Sequence, residues 1–85
     1  WPDYVFDENY KLPSLQQLEQ FINSNKHLPN IPAAKQVQKE GFELGDMNKR
    51  LLEKIEELTL YIIQQEKRLN TLQQQVESIQ AKAKN

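Results

Sequence analysis

The stretch LLEKIEELTLYIIQQEKRLNTLQQQVESI, residues 51–79, decides the fold. With Ile55 taken as heptad position a, the a sites are Asn48, Ile55, Ile62, Leu69, Val76 and Ala83. The d sites are Leu44, Leu51, Leu58, Gln65, Leu72 and Ile79, so spacings of four and three alternate without a slip. A solitary helix in water has no reason to hold that rhythm, whereas a period of about 3.5 keeps one seam turned towards a partner helix. The pattern predicts an obligate oligomer whose core lies between subunits. Its seam is Leu51, Ile55, Leu58, Ile62, Gln65, Leu69, Leu72, Val76 and Ile79.

Neither Pro nor Gly occurs from Asp46 to Lys82, so a helix of ~55 Å is expected at about 1.5 Å per residue. Its first half carries more apolar surface than a seam needs: Met47 and Tyr61 at g, Leu52 at e, Leu60 at f and Ile63 at b. A bare coil would leave Leu60 and Ile63 in water, so the N-terminal segment is expected to fold back over them. From Gln64 onward the outer positions are mostly polar, Gln, Lys, Asn, Ser and Thr among them, the composition of a solvated stalk. The expected division is a head over residues 1–45 and a long helix over 46–85, wrapped to about residue 64 and bare beyond.

Within the head, Trp1-Pro2-Asp3-Tyr4-Val5-Phe6 reads as a short strand or a docked irregular arm. Ser14 followed by Gln17 is a capping-box pattern, and Leu15, Leu18, Phe21 and Ile22 then share one helical face. Asn23-Ser24-Asn25 is a plausible stop. Pro29 and Pro32 bracket a tight connection, with Pro32 suited to the first turn of a second helix from Ala33 to about Glu40, ended by Gly41. Asp46 is the expected cap of the long helix. Trp1, Tyr4, Phe6, Leu15, Leu18 and Phe21 are the candidates for covering its first half. The fold class is all-α: a short arm and two short helices packed on a long helix that forms a parallel coiled coil.

Composition narrows the function. The chain has 85 residues, 38% of them hydrophobic, and no cysteine. A core this small ordinarily leans on disulfides, metals or oligomerisation, and here only the last fits. The formal charge is -1, from 11 basic and 12 acidic residues with no basic stripe, so nucleic acid is not an expected partner. The longest apolar run, Leu60-Tyr61-Ile62-Ile63, is far too short for membrane insertion. A start on Trp1 rather than Met leads us to expect a fragment of a longer protein.

Strand number is argued from the polar positions. Ile55 at a with Leu58 at d leans towards a parallel dimer. Against it, Gln65 occupies a d site, where amides around a three-fold axis can bond to one another. The e and g sites offer few opposed charges, and Arg68-Leu69-Asn70-Thr71-Leu72-Gln73 is similar to a short pattern associated with parallel trimers, with Gln in place of its Glu. A homotrimer is expected, with a dimer second. Asn48 and Gln65 then fix register and strand number; a coordinated central ion such as chloride is the alternative.

No catalytic, cofactor-binding or metal site is expected. His27 is the single histidine and lacks the companions that a catalytic triad or a zinc site requires; it reads as a turn or packing residue. Asp3, Asp7 and Glu8 form an acidic cluster without a calcium-loop pattern.

Four segments in order carry a resemblance: Trp1-Pro2-Asp3-Tyr4-Val5-Phe6, Asn25-Lys26-His27-Leu28-Pro29, Leu44-Gly45-Asp46-Met47-Asn48, and Leu51 through Tyr61. Together they resemble the C-terminal module of long, repetitive surface and tail-fibre-like proteins of Bacteroidetes, over about residues 1–65. The architecture is also similar to the intramolecular chaperone domains that end phage endosialidases and tail spikes. That resemblance implies a terminal trimerisation cap, an upstream fibre shaft as neighbour, and a place on a cell surface or a virion. The Ser-Asp start of the self-cleaving chaperones has no counterpart here. A structural oligomerisation module is therefore the leading expectation, ahead of a hetero-protein-binding helical module and of a self-cleaving domain.

Overall fold

The computed structural model describes residues 3–41 and 43–83. Among them lie a 3₁₀ turn, Asp3–Phe6, and three helices: α1, Leu15–Asn25; α2, Ala34–Glu40; and α3, Leu44–Ala83. The chain is an elongated all-α rod of 67 × 28 × 19 Å. Its radius of gyration is 18.7 Å, against about 12 Å for a compact domain of this length.

α3 sets the length of the rod. Its 40 residues span about 60 Å at the rise of an α-helix. The helix starts at Leu44, earlier than the cap expected at Asp46, because the Met47 amide already donates to the Glu43 carbonyl at 3.0 Å. Asp46 sits in the first turn instead, where a carboxylate meets the positive end of the helix dipole.

α1 begins as its sequence predicts. The Ser14 hydroxyl accepts from the Gln17 amide and the Gln17 side chain accepts from the Ser14 amide, each at 3.1 Å, a reciprocal capping box. The helix runs through Asn25, and the left-handed residue that ends it is Lys26, at φ 61°. α2 is capped at Ala33, which places Pro32 just outside the helix rather than in its first turn. It stops at Gly41, whose φ of 74° suits a residue without a Cβ.

The arm is a 3₁₀ turn rather than a strand, and it lies close against α3. Val5 is 1% exposed there, the most deeply buried apolar side chain among the described residues. Trp1 falls outside the described residues. The short helices are less closely packed than expected: among the described residues neither brings a Cα atom within 8 Å of α3. α2 offers only Val37 and Ala34 as apolar side chains, and no residue of α1 or α2 is buried. Phe6 is 57% exposed and Leu15 44% exposed, while Leu18 and Phe21 are half-buried. Of the outer residues expected to be covered, Leu60 is half-buried but Ile63 is 45% exposed. Every described residue beyond Tyr61 is exposed.

The Ser14 cap supplies a direct check. Replacing Ser14 with Ala should cost α1 about 1 kcal/mol, seen as faster amide hydrogen exchange in its first turn with α3 unchanged; equal exchange in both proteins would mean that the cap does not hold the helix.

Candidate functional site

Two faces of α3 stand apart. The first buries Glu53, Glu57 and Tyr61, at heptad positions f, c and g, beneath the arm and the following loops. Buried carboxylates are costly unless bonded, and both are. The Tyr4 hydroxyl donates to Glu53 Oε2, and Asn30 Nδ2 donates to Glu53 Oε1 at 3.1 Å. The Tyr10 hydroxyl donates to Glu57 Oε2 at 2.7 Å. Lys54 lies between the two, its Nζ 2.8 Å from Glu57 and 3.5 Å from Glu53. Tyr61 completes the set by donating to the Pro13 carbonyl at 2.6 Å.

The loop before α2 is held by the same cluster. Asn30 adopts φ 65°, a left-handed conformation that Asn tolerates better than most residues. Arg50 donates to the Asn30 carbonyl at 3.0 Å and reaches Asp46 at 3.6 Å. His27 donates from Nδ1 to the Leu28 carbonyl at 2.8 Å and stands edge-on to Phe21, with ring centroids 5.6 Å apart. Among the described residues, no three His, Cys, Asp or Glu side chains gather as metal ligands, and no helix is long and apolar enough to cross a membrane.

Proton affinities follow from these contacts. Burial works to raise the Glu53 carboxyl, but the bonds from Tyr4 and Asn30 and the Lys54 ammonium outweigh it and hold it below its usual range. The bond to Glu53 is the main reason that the Tyr4 phenol rises from 10.0 to about 12. Tyr10 is raised as well, first by burial and then by its bond to Glu57. Burial, then the charge of Glu57, raises Tyr61.

The second face is the heptad seam. Leu51, Ile55, Leu58, Ile62, Leu69, Leu72, Val76 and Ile79 are all between 45% and 67% exposed, and Gln65 and Asn48 are exposed with them. The bonds that hold the head fall on Glu53, Glu57 and Tyr61, at f, c and g, off the stripe, which the head meets only beside Leu58 among the described residues. The accessible surface of the chain is 7291 Å², against about 5300 Å² expected for a compact monomer of its mass.

Where α1 stands off from α3, a cleft of about 430 Å³ remains. Tyr10, Pro13 and Leu18 form one wall, and Leu28 and Pro29 form another. Lys54, Leu58 and Tyr61 contribute from α3, so the seam residue Leu58 also borders the cleft.

The apolar heptad stripe was legible in the sequence as a pattern, whereas the Glu53–Lys54–Glu57 cluster was not singled out, because charges at outer heptad positions ordinarily read as solvated. The available signal was the tyrosines: a phenol that packs against a helix normally finds an acceptor when buried, and Glu53 and Glu57 are adjacent on one helical face. Comparison with protein-family models, curated proteins and solved structures gives no match.

The tyrosine–glutamate bonds make the arm pH-sensitive at both ends. The lowered Glu53 carboxyl contributes stability above the ordinary carboxylate range, lost as pH falls through its depressed value. The raised Tyr4 phenol contributes fully below 10.0 and loses its contribution as pH rises through about 12. Followed by NMR of the Tyr4 and Tyr10 rings, the arm should stay docked through neutral pH and loosen at both extremes. Glu53→Gln should remove its share of the acid limb; an unchanged acid limb in that variant would contradict the assignment. Tyr10→Phe leaves Glu57 short of a donor and should cost about 1–3 kcal/mol, read as a lower denaturation midpoint.

Proposed function

We propose that the chain is a structural oligomerisation module that joins three copies in parallel through the a/d seam of α3. One observation carries this reading: the head attaches to the opposite side of the helix, while the apolar residues of the seam stand 45–67% exposed. A period held from Leu44 to Ala83 suits a second copy of the same helix in register. Gln65 at d and the scarcity of opposed e and g charges favour three strands over two.

Mechanistically, joining chains along one seam sets their register and raises the effective concentration of whatever is attached to them. Placement at the end of a fibrous surface or phage-tail-like protein, with an upstream shaft as neighbour, rests on the resemblance of the head and the first half of the helix. Extracellular or virion localisation rests on the same ground. The head is then a collar that stiffens one end of the coil, and residues beyond Tyr61 are its stalk.

Light scattering of the chain should give the mass of a trimer. Ile62→Asp should convert it to monomer, because assembly would bury like charges without partners. A wild-type chain that remains monomeric and gains helicity only with a foreign partner would favour a hetero-binding module; an Ile62→Asp variant that stays fully assembled would show that the seam is misassigned.

A further inference from the structure

The cleft between α1 and α3 reaches the seam at one residue. Leu58 belongs to both, and Lys54 and Tyr61, at g, form the flank between them. In a parallel coil the g flank of one helix faces the e flank of the next, each g residue meeting the following e residue of its neighbour. That rule sets Lys54 against Thr59 of the next copy and Tyr61 against its Glu66. Ile63, at b, lies one turn beyond Thr59 and outward from it, about 3 Å past the level of Tyr61 along the axis.

We infer that the cleft of each head is a socket for the e/b flank of the adjacent copy, filled by Thr59 and Ile63. This deepens the proposed trimer and rests on it. Three features point to a second copy as occupant. The cleft is continuous with the seam through Leu58, so a helix seated on the seam necessarily passes its mouth. Ile63 is a large apolar residue that is 45% exposed, that the head of its own chain does not cover and that a bare coil would leave in water. The Thr59 hydroxyl is already bonded to the Ile55 carbonyl at 2.9 Å, so it needs no partner from the neighbour and its methyl group can enter an apolar site. Filled in this way, the cleft turns three separate heads into an interlocked collar, and α1 gains the packing that its own α3 does not supply.

The full chain has no cysteine, which makes single-thiol pairing clean. Leu18→Cys and Ile63→Cys proteins are unfolded together, refolded to exchange chains, and treated with a short bismaleimide. Each chain carries one thiol, so any link joining positions 18 and 63 is between copies. Peptide mapping should show that mixed link outweighing the self-link between two position 63 thiols, and the pair Leu28→Cys with Thr59→Cys should behave alike. If light scattering shows an assembled protein and neither pair gives the mixed link, the socket is wrong and the trimer stands. If the parent chain is monomeric, both fall.

Discussion

The structure depends on keeping two charged carboxylates out of water on one side of a single long helix. Glu53 and Glu57 are 6% and 7% exposed, a placement that costs several kcal/mol per ion if left unpaired. Tyr4, Tyr10, Asn30 and Lys54 supply the compensating donors. All except Lys54 come from the segment before α3, so satisfying the carboxylates and folding the head are the same event. The apolar contribution is small, with Val5 as its buried anchor. A head held mainly by directional bonds has one permitted azimuth on the helix, whereas a greasy patch could slide around it. That azimuth leaves the seam clear.

The use of polar bonds also fits the proposed assembly, which calls on the apolar side chains of the seam. Hydrophobic attraction is non-directional, so a head with a broad apolar face would compete with a partner helix for the same stripe. Here the two interactions are separated by chemistry as well as by position. Leucine and isoleucine are gathered on the seam, and tyrosine and glutamate hold the opposite side. α1 and α2 show the consequence: with no close backbone approach to α3 among the described residues, they depend on the loops that flank them.

Legibility from sequence followed the same division. The heptad, the capping box at Ser14 and Gln17, and the breaks at Asn25 and Gly41 are local or periodic signals, and the helices lie within a few residues of where those signals place them. The arm is different. Tyr4-Val5-Phe6 has strand-like composition, but a strand needs a neighbour to complete its hydrogen bonds, and there is none among the described residues; a 3₁₀ turn satisfies part of that demand internally. Pairings across 47 to 49 residues, such as Tyr10 with Glu57 and Tyr4 with Glu53, leave no spacing signature at all. Only the need of buried phenols for acceptors could have suggested them.

Ile63 is where the two sides of the helix meet. It was expected under the head because it is apolar and outside the seam, yet the last tie between head and helix is the bond from Tyr61 to the Pro13 carbonyl. Exposure of a single isoleucine needs no special cause. In the proposed trimer, an isoleucine on the e/b flank, just past the Tyr61 end of the cleft on the facing g flank, has a geometric one. In the proposed trimer the a and d positions lie along the axis, Leu60 and Tyr61 under the head, and Ile63 between one copy and the next.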